Sequence, residues 1–546
     1  MAPEKNNSDD VTIDDILKLL GPFGKFNFVN FVLILIPVLL SGFYTSVYNF
    51  EALDLKYRCE IPECPEAHDI NFTIPHDPEG NPYKCVRYAP FTNSTGNETC
   101  SPHHFDSSTE IPCESYVYLE QHSIVKEFNL ACQDWKRSLV GTVHNAGFFV
   151  SIPLTGLLSD KFGRRVALIF AAVSNGVFGV IRALSVNYEM FIVFEFLEPA
   201  FGGGVYTACF VLAMELVGPK GRVFVSLLFN TMFITGGVCV TLLSWYLENW
   251  RYLVFLIYTP SVFIFVYIWM LTESFRWYFS KGRYEEGLNV LMKSEKVNKV
   301  SVPRDHYEQV EKHATQQRDA RKFETLESNQ SSFMQMFTSL MIWKRLFICS
   351  FLWISSTLVY YGLSINAIEL SGNSYLNYIV VLIIEAPANV CKLIFLDRFG
   401  RKKVIATAFF LTALILINYG FVPAGVLSLV MYLGGKFFIT LAYNSLYVFA
   451  AEVFPTNYRT TLLAMCSTIG RIGSTVAPQT PLLARFYEYL PTMLFGIMAG
   501  LSAFLVLLLP ETNNMKLPDS LREAQEQDTK REEPSEEVNS SCKTSL

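Results

Sequence analysis

Four charged side chains, Glu385, Lys392, Lys436 and Arg471, fall inside stretches that are otherwise apolar. An ionised group at the centre of a bilayer costs about 2.5–3.5 kcal/mol on insertion scales, so such groups usually line a cavity. Their chemistry is electrostatic: they can hold and release an ion. Arg471 lies in Ser467-Thr-Ile-Gly470-Arg471-Ile-Gly473-Ser474, where small neighbours leave its head reachable. A permanent salt bridge to Glu385 or another acid is the competing reading. Lys392 either adds positive charge to the same place or snorkels to the surface. Lys436 follows Gly434-Gly435, and helix packing is its alternative role. Trp353, Tyr360, Tyr361, Tyr443 and Tyr447 recur at helical spacings and can cage an organic body or an ammonium group, or simply pack. Glu195 and Glu198 precede Pro199 and read as a proton-responsive pair or as partners for Arg182. His144 reads as a packed histidine or a proton relay. Nucleotide-loop, metal-ligand and catalytic-triad patterns are lacking, so an enzyme, a cofactor and a metal are not expected; Gly202-Gly-Gly204 suits close helix packing.

The elements that carry these residues are apolar runs of membrane-spanning length. The chain has 546 residues, 51% hydrophobic and 17% charged, with 45 Phe and a net charge of −6. Mean hydropathy is +0.27. These values exclude a disordered chain, and the lack of a basic excess argues against nucleic acid as a partner. About twelve runs of roughly 20 apolar residues begin near positions 26, 138, 166, 190, 223, 251, 345, 375, 404, 426, 460 and 491. In lipid the backbone must be internally paired, so continuous runs of this kind are helices. The expected fold is an all-α polytopic membrane protein.

Residues 1–25 read as a cytosolic N-terminal segment and 26–271 as a first six-helix bundle. Within it, 49–137 is a loop holding Cys59, Cys64, Cys85, Cys100, Cys113 and Cys132, with glycosylation sequons at Asn71, Asn93 and Asn97. An even cysteine set beside sequons reads as an extracellular, disulfide-bonded loop whose pairing the sequence leaves open. Residues 272–344 form a charged, helical cytosolic loop, 345–510 a second bundle, and 511–546 a polar cytosolic tail read as disordered. Lys161, Arg164, Arg165, Arg398, Arg401, Lys402 and Lys403 crowd two short loops. The positive-inside bias therefore puts both termini in the cytosol.

The two bundles repeat each other. Asp160-Lys-Phe-Gly163-Arg164-Arg165 returns as Asp397-Arg-Phe-Gly400-Arg401-Lys402, an offset of 397 − 160 = 237. Glu215 and Arg222 return as Glu452 and Arg459 at the same offset, and Thr272-Glu273-Ser274 as Pro510-Glu511-Thr512 at 238. Repeated halves with a substrate site between them are the architecture of secondary transporters. Asp160, Arg164, Arg165, Glu215, Arg222, Glu273 and Arg276, with Asp397, Arg401, Glu452 and Arg459, are expected to form a cytoplasmic gating lattice. Topogenic charge in a solvated loop is the plainer alternative.

These motifs resemble the major facilitator superfamily, and specifically its organic cation/anion/carnitine transporters (solute carrier family 22). The resemblance rests on Asp14-Asp15-Ile16-Leu17 before Gly21 and Phe23, and on the large cysteine-bearing loop. Glu215-Leu-Val-Gly-Pro-Lys-Gly-Arg222, Glu273-Ser-Phe-Arg276-Trp277 and Ala451-Glu452-Val-Phe-Pro455-Thr456-Asn-Tyr-Arg459 are similar to its internal motifs. Leu393, where Gly156 has its counterpart, and Thr272, where the family usually has proline, depart from them. The resemblance implies that Arg471 is the ligand for a substrate carboxylate, since the family's cation carriers place an aspartate there and its anion and carnitine carriers an arginine. Glu385 matches a family acid, Lys436 a family lysine, and Asn389 stands where anion carriers tend to have lysine.

The expected function is thus polyspecific plasma-membrane transport of small organic ions by alternating access. An organic anion or carnitine-like zwitterion is favoured by Arg471. An organic cation carrier is the alternative, and a non-transporting receptor or scaffold on the same fold is the alternative of another class. Na+, H+ or an exchanged dicarboxylate are the possible coupling partners, and the lipid bilayer is the surroundings.

Overall fold

The computed structural model describes residues 13–21, 24–64, 71–76, 80, 82–91, 100–120, 122–217, 221–247, 249–307, 309–310, 339–370, 372–423, 425–455 and 458–512. Nine helices among them are long and apolar enough to cross a membrane. In chain order the first span is Lys25–Glu51, the third Arg164–Ala183, the fourth Tyr188–Leu216, the fifth Arg222–Tyr246 and the sixth Trp250–Met270. The seventh is Leu340–Asn366, the eighth Ser374–Phe399, the ninth Arg401–Tyr419 and the tenth Val426–Val453. Asp134–Phe162, Arg459–Val476 and Leu490–Val506 complete the series as second, eleventh and twelfth. The second turns the polar side chains His144, Asn145, Ser151 and Thr155 inward.

Each half has its own apolar core. One runs from Phe31, Ile34 and Val38 through Leu212 and Val254; the other gathers Leu352, Trp353, Phe409, Phe449 and Phe495. The repeat is visible at the hairpins. Gly163 (φ 109°) joins the second span to the third, and Gly400 (φ 92°) joins the eighth to the ninth. Only glycine takes such backbone angles without strain. A Cβ there would also strike a carboxylate: Glu273 at Gly163, and Glu511, whose Oε2 would lie 2.9 Å from the added carbon, at Gly400.

Between the first and second spans the chain forms a small β domain. Tyr57–Cys59 pairs antiparallel with Tyr116–Tyr118, and Val86–Pro90 with Phe105–Pro112. The disulfides are Cys59–Cys113, Cys64–Cys100 and Cys85–Cys132. Among the described residues its buried core is Cys59, Ile61, Cys64, Ile74, Phe105 and Cys113, a small set that the cross-links reinforce. Asn71 opens a turn, Asn71–Thr73; Asn93 and Asn97 lie outside the described residues.

The connector between the halves begins with Phe275–Ser280 and Tyr284–Asn298. Asn298 fastens it to the start of the chain, accepting from Phe26 N at 2.9 Å and donating to Leu20 O at 3.1 Å. Residues 311–338 of the connector and 513–546 of the tail lie outside the described residues. Glu511 and Thr512 belong with the second bundle, since Thr512 Oγ1 donates to Glu452 Oε2 at 2.6 Å.

Candidate functional site between the two halves

A cavity of about 560 Å³ separates the halves. The first half lines it with Tyr44, His144, Phe148, Glu198, Tyr206 and Asn230. The second half contributes Tyr360, Tyr361, Glu385, Asn389, Lys392, Tyr443, Tyr447 and Arg471.

Arg471 is half-buried on the eleventh span. Its guanidinium lies 4.9 Å from the centre of the Phe148 ring, across the gap between the halves, and Tyr361 is its hydrogen-bonding neighbour. Glu385 is not its partner. That carboxylate pairs with Lys436 at 2.9 Å and accepts from Tyr360 Oη at 2.7 Å. Lys436 is fully buried; it also donates to Ser364 Oγ at 2.7 Å and lies 3.4 Å from the Tyr360 ring centre. The buried acid and base of the second half thus cancel, and Arg471 keeps its charge for the cavity.

Aromatic rings build the rest of that wall. Tyr360 meets Tyr361 edge-on at 5.1 Å and Tyr443 at 5.4 Å, while Tyr443 and Tyr447 share a hydroxyl contact of 3.3 Å. Asn389 is held by Asn444, whose Nδ2 donates to its Oδ1 at 2.7 Å. Trp353 and Lys436 stand one layer back from the cavity. The Trp353 indole is wedged beneath Gly470, with its ring 5.2 Å from Tyr447, so it braces the wall.

The opposite wall holds a second buried charge group. Arg182 Nη2 donates to Glu51 Oε1 at 2.8 Å and Nη1 to Glu195. Nη1 also lies 3.5 Å from Glu198. His144 Nδ1 is 2.9 Å from Glu195 Oε1. All five side chains are at most 1% exposed. The guanidinium engages one oxygen of each of the three carboxylates, so the set reads as a charge network. Glu51 escaped the sequence reading because it sits at the very end of an apolar run; its place inside a span-length helix was the available signal. Phe148 gave none, being one apolar residue among many.

The loop motifs form two matching lattices. Arg164 binds Asp160 at 2.7 Å and Glu215 at 3.0 Å; Arg401 binds Asp397 at 3.1 Å and Glu452 at 3.3 Å. Glu273 Oε1 accepts from Arg164 N at 3.1 Å, and Glu511 Oε1 from Arg401 N at 3.0 Å. These carboxylates meet the positive ends of the third and ninth helices. Burial pushes the Glu273 carboxyl above its ordinary range, against the pull of the amide donors. Arg165 Nη1 binds Ile268 O and Leu271 O, each at 3.2 Å, and Arg276 Nε binds Glu215 O at 3.2 Å. Arg222 and Arg459 open the fifth and eleventh helices. Among the described residues, the ion pairs of each lattice lie within its own half.

Contacts between the halves gather at the end bearing the disulfides. Phe50 stacks on Tyr375 at 5.7 Å, Tyr378 Oη donates to Ser46 Oγ at 3.1 Å, and Gln479 Nε2 donates to Thr142 Oγ1 at 2.6 Å. Arg485 pairs with Asp134 there. At the arginine-turn end Gly156 faces open space and Leu157 is 71% exposed. The face of the eleventh helix formed by Thr460, Thr461, Ala464 and Thr468 borders an open cleft.

Two six-helix halves around a shared cavity, with matched charge lattices at their hairpins, define a membrane transporter of the major facilitator type. Residues 88–521 match the family model for sugar (and other) transporters, and the chain belongs to that family. It is 28% identical over 529 residues to the organic cation transporter protein of Drosophila melanogaster, covering 94% of each chain. It is 29% identical over 527 residues to human organic cation/carnitine transporter 2, covering 93% of each. Mouse solute carrier family 22 member 6 is 26% identical over 531 residues, again covering 94% of each. An inward-open structure of the xylose transporter XylE from E. coli matches with a TM-score of 0.61 at 16% identity, over 92% of this chain and 99% of that one. The resemblance to family 22 carriers therefore extends along nearly the whole chain.

Proposed function

We propose that this protein is a plasma-membrane carrier of small organic anions or carnitine-like zwitterions, working by alternating access. Arg471 carries the reading. It is a guanidinium at the cavity wall with no carboxylate within ion-pair distance among the described residues, while the nearby Glu385 is already neutralised by Lys436. A planar, always-charged fork matches a carboxylate through two hydrogen bonds. Tyr361, Tyr443, Tyr447 and Phe148 supply adaptable apolar contact for the organic body. The names of the relatives, which include cation, carnitine and other family 22 carriers, support an organic ion as cargo. The positive-inside bias puts the arginine turns and both termini in the cytosol, so the described state opens inward.

A cation reading has one observation behind it: six tyrosines on the cavity wall can face an ammonium group. The pairing of Glu385 with Lys436 removes the charge such a substrate would seek on the second-half wall, which leaves only Glu198 among the lining acids of the described residues. The test is uptake in expressing cells of a dicarboxylate, carnitine, urate and a quaternary ammonium, for the native chain and Arg471→Asp at matched surface level. Carboxylate uptake is expected to fall about tenfold or more, the worth of a lost charge-assisted hydrogen bond. Carboxylate uptake unchanged in the variant would remove Arg471 from substrate binding.

A further inference from the structure

The first-half wall of the cavity holds more buried carboxyl groups than basic side chains to pair with them. Glu51, Glu195 and Glu198 are three buried carboxylates around one guanidinium, Arg182. With all three ionised beside a neutral imidazole the group would be two charges negative, and because unpaired charge in a low-dielectric interior is expensive, such a group has reason to hold protons. His144 Nδ1, facing the Glu195 carboxylate at 2.9 Å, must donate its proton there, so Nε2 carries the ring's free lone pair. That nitrogen is buried and has no hydrogen-bond partner, and the same holds for one oxygen of Glu198 and one of Glu51. One ligand atom from each of His144, Glu195 and Glu198 falls within 4.8 Å of the others. His144 and Glu198 both border the cavity.

We propose that His144, Glu195 and Glu198 form a proton-binding site on this wall, and that a proton held there is coupled to the anion held at Arg471. A proton from cavity water adds to the Nε2 lone pair, giving an imidazolium that cancels one excess negative charge. Release returns it to water, with no other bond made or broken. Phe148 is the physical link: its ring lies 5.8 Å from the His144 ring on one side and 4.9 Å from the Arg471 guanidinium on the other. Among the described residues, other titratable groups around the site include Tyr48 of the first span, 4.8 Å ring to ring, Tyr44 beside it, and Tyr188 at the start of the fourth span near Glu195. Tyr258 of the sixth span lies 4.9 Å from Arg182, and Tyr361 stands beside Arg471. A larger cation is disfavoured because Arg182 already engages one oxygen of each of the three carboxylates. By linkage, a proton that strengthens anion binding is itself held more tightly when the anion is present.

The full-length protein in lipid nanodiscs tests this without any substrate. Infrared difference spectra between acidic and alkaline buffer are expected to show imidazole and carboxyl protonation bands, and His144→Gln and Glu198→Gln are expected to abolish them. A native spectrum with no such bands overturns the proposal, and so does the same titration persisting in both variants. Suppression of the titration by added sodium at fixed pH also overturns it, in favour of an inorganic cation. If His144→Gln fails to fold, the native spectrum and Glu198→Gln decide. The coupling half rests on the transport reading and is tested by carboxylate uptake. Uptake is expected to rise about five- to tenfold from pH 8 to pH 6 in the native chain and to stay flat in His144→Gln. A pH response that survives in His144→Gln overturns the coupling, whereas failure of the Arg471 reading leaves the infrared result standing.

Discussion

At Arg471 the decisive fact is which acid the guanidinium does not meet. Glu385 lies in the same cavity, yet Lys436 and Tyr360 hold it from behind, at 2.9 and 2.7 Å. That arrangement can be tested by stability. Removing one member of a buried pair strands the other, at a cost of about 3–5 kcal/mol, whereas replacing both with apolar groups is often nearly neutral. Glu385→Gln and Lys436→Met are each expected to lower the melting temperature of the purified protein, and the double variant to recover most of the loss. Equal, additive losses would mean that the two groups do not act as a pair. Because the pair stands between Arg471 and any role as a structural salt bridge, the double variant is also expected to keep carboxylate uptake within about threefold of native.

The elements that hold the site are positioned by their ends as much as by their apolar faces. Glu273 caps the third helix through the amides of Arg164 and Arg165, at 3.1 and 3.0 Å, and Glu511 does the same at the ninth. Truncation at Glu273→Ala is expected to cost about 1–2 kcal/mol, the value of a lost cap. The pH dependence has a definite sign. Burial raises the Glu273 carboxyl above its unfolded value, so the folded state holds the proton more tightly. Its stabilising contribution is complete below the ordinary carboxylate range and is lost as pH rises through the raised value. The melting temperature of the native chain is expected to step down across that window, and Glu273→Gln to erase the step.

For the whole molecule, the described state is sealed at the disulfide end and parted at the arginine-turn end. The seal is made of modest contacts: the Phe50–Tyr375 stack, the Tyr378–Ser46 and Gln479–Thr142 hydrogen bonds, and the Arg485–Asp134 pair. Each such bond is worth about 1 kcal/mol, so a few of them set the balance between the two states. Tyr378→Ala with Gln479→Ala is expected to shift the population toward the opposite state by about tenfold. Spin-label distances across the two ends would read it, and an unchanged distribution would show that the seal lies elsewhere.

Much of this organisation was written in the sequence. Span-length apolar runs must be helices in lipid, so the helix series follows from backbone hydrogen bonding alone. The offset of 237 residues carried the duplication, and the two arginine lattices repeat it contact for contact. Arg471, Glu385 and Lys436 stood out because charge inside hydrocarbon is costly wherever it occurs. What the sequence left open is everything set by rotation of one helix against another. Cysteine spacing allowed fifteen pairings, and only packing around Ile61, Ile74 and Phe105 chose among them. Helical periodicity marked Trp353 as readily as Tyr361, yet the first braces the wall and the second faces the cavity. Which acid meets Arg182 and which base meets Glu385 depends on contacts between helices far apart in the chain. Those contacts exist only once the spans have packed, and they decide which charge is left free for an ion.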